Sequence, residues 1–158
     1  MNNSPMNSIE RAVRQVADFH NAIGANIAAA PSLLSHDPVL AKETLVELQR
    51  LLSRLDLSRR DGDELMLRLC LALEETAEWL DAHLRNDLVA AADAWGDRLY
   101  VLLGDAVSTG LPAQDVFDEV HRSNMSKQCK SSNRGKAVKG SSYRRPQLDE
   151  VLQQPKQI

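Results

Sequence analysis

The stretch Asp63-Glu64-Leu65-Met66-Leu67-Arg68-Leu69-Cys70-Leu71-Ala72-Leu73 decides the fold. Wound at about 100° per residue it is apolar on most of its surface, and the helical pattern continues to Leu84. A helix that broad in its apolar surface belongs at the centre of a bundle or at a contact between two copies. On its N-terminal side, Asp37-Pro38 marks another helix start, the aspartate as N-cap and the proline at the first helical position. That helix carries Ala41, Leu45, Leu48, Leu52 and Leu55 on one stripe and breaks at Arg59-Arg60-Asp61-Gly62. Further out, Ile9, Ala12, Val13, Val16, Phe19 and Ile23 give a first helix over residues 8–23, closed by Gly24. Residues 25–36, with Pro31, read as a loop. On the C-terminal side, residues 87–109 form a helix ended by Gly110, and a further one runs from Pro112 to Arg122. Periodicity then stops. Residues 123–146 are irregular, and 147–154 offer one last helical turn.

The predicted fold is therefore all-α: an up-and-down bundle of four to five helices with a basic, largely irregular C-terminal segment. Residues 1–122 form the bundle and 123–158 the segment, within a single domain overall. Composition agrees. The chain has 158 residues, enough for one core, and only 4% are aromatic, fewer than a β-sandwich or barrel needs. Cys70 and Cys129 make no disulfide framework and no Cys-x-x-Cys metal motif. No apolar run reaches membrane-spanning length, and the N-terminus lacks the apolar run of a signal peptide, so a soluble, cytoplasmic protein is expected.

The net charge of −3 conceals a division. Residues 1–120 carry 20 acids and 10 bases, whereas residues 121–158 carry nine bases and two acids. The acids concentrate in two places. Glu74, Glu75 and Glu78 fall within one arc of about 100° on the third helix, with Asp81 near the same line. Asp93 and Asp97 are i, i+4 on the next helix. If the two helices are antiparallel neighbours, these acids face one another. Two readings remain open at this point: a solvated acidic face, or an all-oxygen site for a hard cation such as Mg²⁺ or Mn²⁺. The bases likewise suit either a solvated tail or an anion site. Nucleic acid is disfavoured, because Tyr143 is the one aromatic residue among these bases and offers no stacking platform.

Glu-Glu-x-x-Glu over residues 74–78, followed by Asp93-Ala94-x-x-Asp97-x-Leu99-Tyr100-Val101, resembles the MazG-like all-α NTP pyrophosphatase superfamily. The nearest likeness is its phosphoribosyl-ATP pyrophosphohydrolase-like branch, related to dimeric dUTPase-like enzymes. His121-Arg122-Ser123-Asn124-Met125-Ser126-Lys127 and Gly135-Lys136-x-x-Lys139-Gly140-x-x-Tyr143-x-x-Pro146 strengthen it, as does Phe19-His20-Asn21-Ala22-Ile23-Gly24. The superfamily carries Glu-x-x-Asp on its second acidic helix. Here Ala94 stands at the Glu position, and Asp93 is the acid beside it.

The resemblance implies Mg²⁺-dependent hydrolysis of a nucleoside triphosphate between its α and β phosphorus, releasing a monophosphate and pyrophosphate, in nucleotide-pool house-cleaning. Mn²⁺ is the alternative ion. Glu75, Glu78, Asp97 and Asp93 would be the metal ligands, and Glu74 the catalytic residue orienting the nucleophile. Asn124, Lys127, Lys139, Tyr143 and Arg122, with Lys136, would meet the substrate. A homodimer or higher homo-oligomer is expected, in keeping with the apolar breadth of residues 65–73. The alternatives are a non-catalytic helical interaction or regulatory module with a degenerate metal site, suggested by Ala94, and a phosphoribosyl-ATP pyrophosphohydrolase. A fold-level likeness does not fix the substrate.

Overall fold

A computed structural model describes residues 8–55, 62–127 and 137–153. Among these residues there are six helices: α1 (Ser8–Ile23), α2 (Pro38–Arg54), α3 (Glu64–Leu84), α4 (Leu88–Thr109), α5 (Ala113–Met125) and the short α6 (Leu148–Leu152). The fold is an all-α helical bundle, and no strand occurs among the described residues. Among these residues no helix is long and apolar enough to cross a membrane. The chain forms two compact units, one of Ala30–Thr109 and one of Met1–Ala29 with Gly110–Ile158.

In the central unit α3 packs against both α2 and α4. Asp37 caps α2 as its sequence indicates, its Oδ1 accepting from the amides of Val39 and Leu40 at 2.9 and 3.2 Å. Asp63 does the same for α3 through the Met66 amide at 3.1 Å. The break expected at Arg59-Arg60-Asp61 lies outside the described residues.

The turn from α3 to α4 takes only three residues. Asn86 adopts φ 55°, a left-handed conformation that asparagine tolerates better than most residues. Asp87 then accepts from the Ala90 amide at 3.0 Å and opens α4. Arg85 clamps the turn, reaching Asp81 at 2.8 Å and Asp87 at 3.5 Å. Towards the far end of the pair, Arg68 crosses from α3 to Asp105 at 2.7 Å and to the Val101 carbonyl. It does so over Gly104, where a Cβ would collide with its guanidinium.

Between these clamps the seam is built from small residues. Ala77, Ala82, Ala91 and Ala94 are buried, and Cys70 is the most deeply buried large side chain, 1% exposed. The stripe of α2 contributes Ala41 and Leu45 to the core, while Leu48, Leu52 and Leu55 are half-buried. The apolar breadth of α3 is only partly covered among the described residues. Leu65, Leu67 and Leu69 are exposed, as are Val89, Tyr100, Leu102 and Val107 on α4.

In the terminal unit α1 packs on α5, and α5 on α6. Of the stripe expected on α1 only Ile23 is buried, whereas Ile9, Val13 and Val16 stay exposed. Polar contacts hold the pair. Arg11 pairs with Asp118, which also accepts from Gln15 at 2.9 Å. Burial opposes ionisation of Asp118, but the hydrogen bonds from Gln15 and Arg11 outweigh it and hold its pKa below the usual value.

The reading that ended this helix at Arg122 is corrected. α5 continues to Met125, with Ser123 buried in its last turn, 3% exposed. The Ser123 Oγ donates to the Arg144 carbonyl at 2.8 Å, and the Ser126 Oγ accepts from the Arg144 amide at 2.8 Å. The final turn expected over residues 147–154 is α6, Leu148–Leu152, closed by Gln153.

Candidate active site

The acidic residues singled out by spacing share one hairpin. Glu75 lies nine residues before Leu84 at the end of α3, and Asp97 nine after Leu88 at the start of α4. An antiparallel pair therefore carries them at the same height above the turn, about 13 Å along each axis. Their charges interact. The Glu75 pKa is raised, first by burial and then by the charges of Glu78, Asp97, Glu74 and Asp93. Glu74 and Glu75 are half-buried, while Glu78, Asp93 and Asp97 are exposed.

The two bases of this stretch are engaged elsewhere, so these five acids form no ion pair with any described residue. Arg85 takes Asp81 out of the group, and Arg98 lies over the Trp79 ring, 4.5 Å from its centroid. The Glu75 Oε2 is buried with no hydrogen-bond partner. An orphaned carboxylate oxygen among like charges is an unfavourable arrangement that a hard cation relieves. Donor chemistry, charge and this orphaned oxygen all fit Mg²⁺. As the side chains stand, however, no three His, Cys, Asp or Glu side chains among the described residues are placed together closely enough to hold an ion.

Ala94 is buried in the seam, 4% exposed, and Asp93 beside it points its residue to the exposed side. The missing glutamate is thus not replaced from the same position on the helix, and Asp93 acts on Glu75 only through its charge. Spacing did not reveal the aromatic group at one end of this site. The Trp79 ring packs 4.4 Å from His83, and His36 meets His83 edge-on at 6.3 Å. The His83 Nδ1 donates to the Trp79 carbonyl at 2.8 Å, which fixes its ring. The periodic placing of Trp79 and His83, one turn apart after Glu75, was the available signal.

The expected substrate-binding residues all belong to the terminal unit. Arg122 grips Glu119 through Nε and Nη2 at 2.7 and 2.6 Å, so its charge is already met. The Lys127 Nζ donates to the Asn124 Oδ1 at 2.6 Å, and Lys139 lies 4.9 Å from the Tyr143 ring centroid. Neither lysine has a carboxylate partner among the described residues. Lys136 lies outside them. Ser123 and Ser126, read from sequence only as part of a motif, tie the backbone of Arg144 to α5.

The model of one family, phosphoribosyl-ATP pyrophosphohydrolase, matches residues 16–124, more than half of the chain. The chain belongs to that family. The phosphoribosyl-ATP pyrophosphohydrolase family is part of the MazG-like all-α NTP pyrophosphatase superfamily, and membership makes this chain a pyrophosphohydrolase. The matched span includes all five clustered acids, Arg122 and Asn124, and stops short of Lys127, Lys139 and Tyr143. No match was found among curated proteins or among solved structures.

Proposed function

We propose that the chain is a Mg²⁺-dependent nucleoside triphosphate pyrophosphohydrolase that cleaves a (d)NTP to the (d)NMP and pyrophosphate. The supporting observation is the α3–α4 acid group, five carboxylates without a cationic partner among the described residues and with the Glu75 Oε2 orphaned. Glu75, Glu78, Asp97 and Asp93 would hold the ion, with Mn²⁺ as an alternative. When bound, it would neutralise phosphate oxygens and lower the pKa of a water. Glu74, half-buried beside Glu75, would orient the attacking water and take up its proton. Asn124 would hold the Lys127 ammonium in place for phosphate, Lys139 and Tyr143 would add charge and a ring face, and Arg122 would act from its pairing with Glu119. Such positioning and charge neutralisation is most of what phosphoryl chemistry requires.

The proposed setting is nucleotide-pool house-cleaning in the cytoplasm. The proposed assembly is a homodimer, supported by the exposed Leu65, Leu67 and Leu69 of α3 and Leu102 of α4, which water would otherwise face. A second reading, phosphoribosyl-ATP as substrate, is supported by the family match itself. The experiment is pyrophosphate release from a panel of standard and damaged NTPs and dNTPs, with phosphoribosyl-ATP included, in Mg²⁺ and in Mn²⁺. Turnover of phosphoribosyl-ATP alone would replace the first reading with the second. No turnover of any compound would overturn both.

A further inference from the structure

Arg98 is a cation next to the acid group, yet it lies against an indole ring. It is half-buried on α4, directly after Asp97, and sits over the Trp79 ring of α3, 4.5 Å from its centroid. Its own helix offers it no acid. The positions three and four away are Ala94, Trp95, Val101 and Leu102, and adjacent residues on a helix do not face each other. Across the seam the choice is different. Of the residues one turn from Trp79 on α3, namely Glu75, Thr76, Ala82 and His83, one is acidic. That residue is Glu75, whose Oε2 is buried without a hydrogen-bond partner. Side chains so spaced are neighbours on the helix surface, about 5–6 Å apart at Cβ. An arginine and an orphaned carboxylate oxygen thus share one stretch of the seam without pairing.

The ring is fixed independently of Arg98. It packs 4.4 Å from the ring of His83, which is buried and whose Nδ1 donates to the Trp79 carbonyl at 2.8 Å. His36 meets His83 edge-on at 6.3 Å. An indole anchored in this way meets the guanidinium charge through its ring quadrupole and leaves the carboxylates alone. The effect on Glu75 is visible: burial first, then Glu78, Asp97, Glu74 and Asp93, all oppose its ionisation. A guanidinium released from the ring would grip Glu75 through charge-assisted hydrogen bonds, and a carboxylate so taken is closed to a metal ion.

We propose that Trp79 is a positioning residue: it holds the Arg98 guanidinium off Glu75 and so keeps the α3–α4 acids open to a divalent cation. The inference rests on the proposed metal role of those acids. Loss of the ring is then harmful because of where Arg98 goes next, and the harm disappears when Arg98 is also removed.

The test is titration of the full chain with Mn²⁺, followed by the electron paramagnetic resonance signal of the free ion. Trp79→Leu should weaken Mn²⁺ binding about tenfold, the usual loss when a group that orients a metal ligand is removed. Trp79→Phe, which keeps a ring face, should lose less. Arg98→Gln should bind at least as tightly as the wild type, and Trp79→Leu/Arg98→Gln should recover the affinity of Arg98→Gln. A ring with a purely structural role gives a double variant no better than Trp79→Leu. A second readout needs no metal. Glu75→Gln should raise the urea midpoint in the wild type and lower it in Trp79→Leu, where it removes the partner of Arg98. Wild-type affinity in Trp79→Leu, or a double variant that is not rescued, would overturn the proposal and leave the metal site standing. A wild-type chain that binds no Mn²⁺ would overturn the metal reading and the proposal with it.

Discussion

Glu75 is where stability and chemistry conflict. Burial and four neighbouring acids disfavour its charged form, and its Oε2 has no hydrogen bond. A carboxyl whose folded pKa is raised lowers stability as pH climbs from the unfolded pKa through the folded one, and the penalty persists at neutral pH. Glu75→Gln should therefore raise the metal-free stability at pH 7, by on the order of 1 kcal/mol if each like-charge neighbour costs a few tenths. The same substitution should abolish pyrophosphate release. Chemical denaturation beside an activity assay checks both, and an unchanged or lowered stability would show that Glu75 is not under strain. Asp93→Asn separates the role of Ala94's neighbour: weaker Mg²⁺ binding means that Asp93 serves as a ligand despite its exposed position. Glu74, Glu75 and Glu78 could be read from residue spacing, as could the Asp37 cap, because each depends on a few consecutive residues. The stacking of Arg98 on Trp79 could not, since it joins side chains of two helices and depends on how the α3–α4 seam closes.

At the scale of elements, α3 and α4 are fastened at both ends, by Arg85 at the turn and by Arg68 over Gly104. Gly104→Ala would gain about 1 kcal/mol of helix propensity but displace the Arg68 guanidinium from Asp105 and the Val101 carbonyl. The expected result is a double-mutant cycle of opposite signs: Gly104→Ala stabilises in an Arg68→Ala background and fails to do so in the wild type. Additive effects would refute the clamp. In the terminal unit, Arg122 first and the Gln147 amide second hold the Glu119 pKa down, to about 2 from an ordinary 4.5. The contribution is complete above pH 4.5 and is lost as pH falls towards 2. The stability difference between wild type and Glu119→Gln should accordingly shrink over that interval; a constant difference would contradict the pairing. The short turn between α3 and α4 was legible from Arg85 to Asp87. The end of α5 was not, because Ser123 is buried by Arg144, which lies 21 residues further along the chain.

At the scale of the molecule, a core made mostly of alanines, with Ile23, Leu45 and Cys70, leaves much apolar surface outside. Leu65 and Tyr100 are 77% and 80% exposed, a cost that a second copy would remove. Sedimentation should give about twice the 17.5 kDa of one chain, and Leu65→Glu/Leu102→Glu should return it to one. A monomeric wild type would refute the dimer. The all-α class was legible because it depends on periodicity summed over many residues. The covering of α1 and α3 was not, because apolar breadth tells that a surface is to be buried and not by what.

Magnesium titration of the full chain, followed by thermal melting in the presence of α,β-methylene-dUTP, addresses the acid group most directly. A ligand that binds only the folded chain raises its midpoint, by about 5–10 °C at a hundredfold excess over its dissociation constant. The expected result is such a rise in the wild type and its absence in both Glu78→Gln and Asp97→Asn. A wild-type midpoint that does not move with Mg²⁺ would contradict a metal-dependent pyrophosphohydrolase site on α3 and α4.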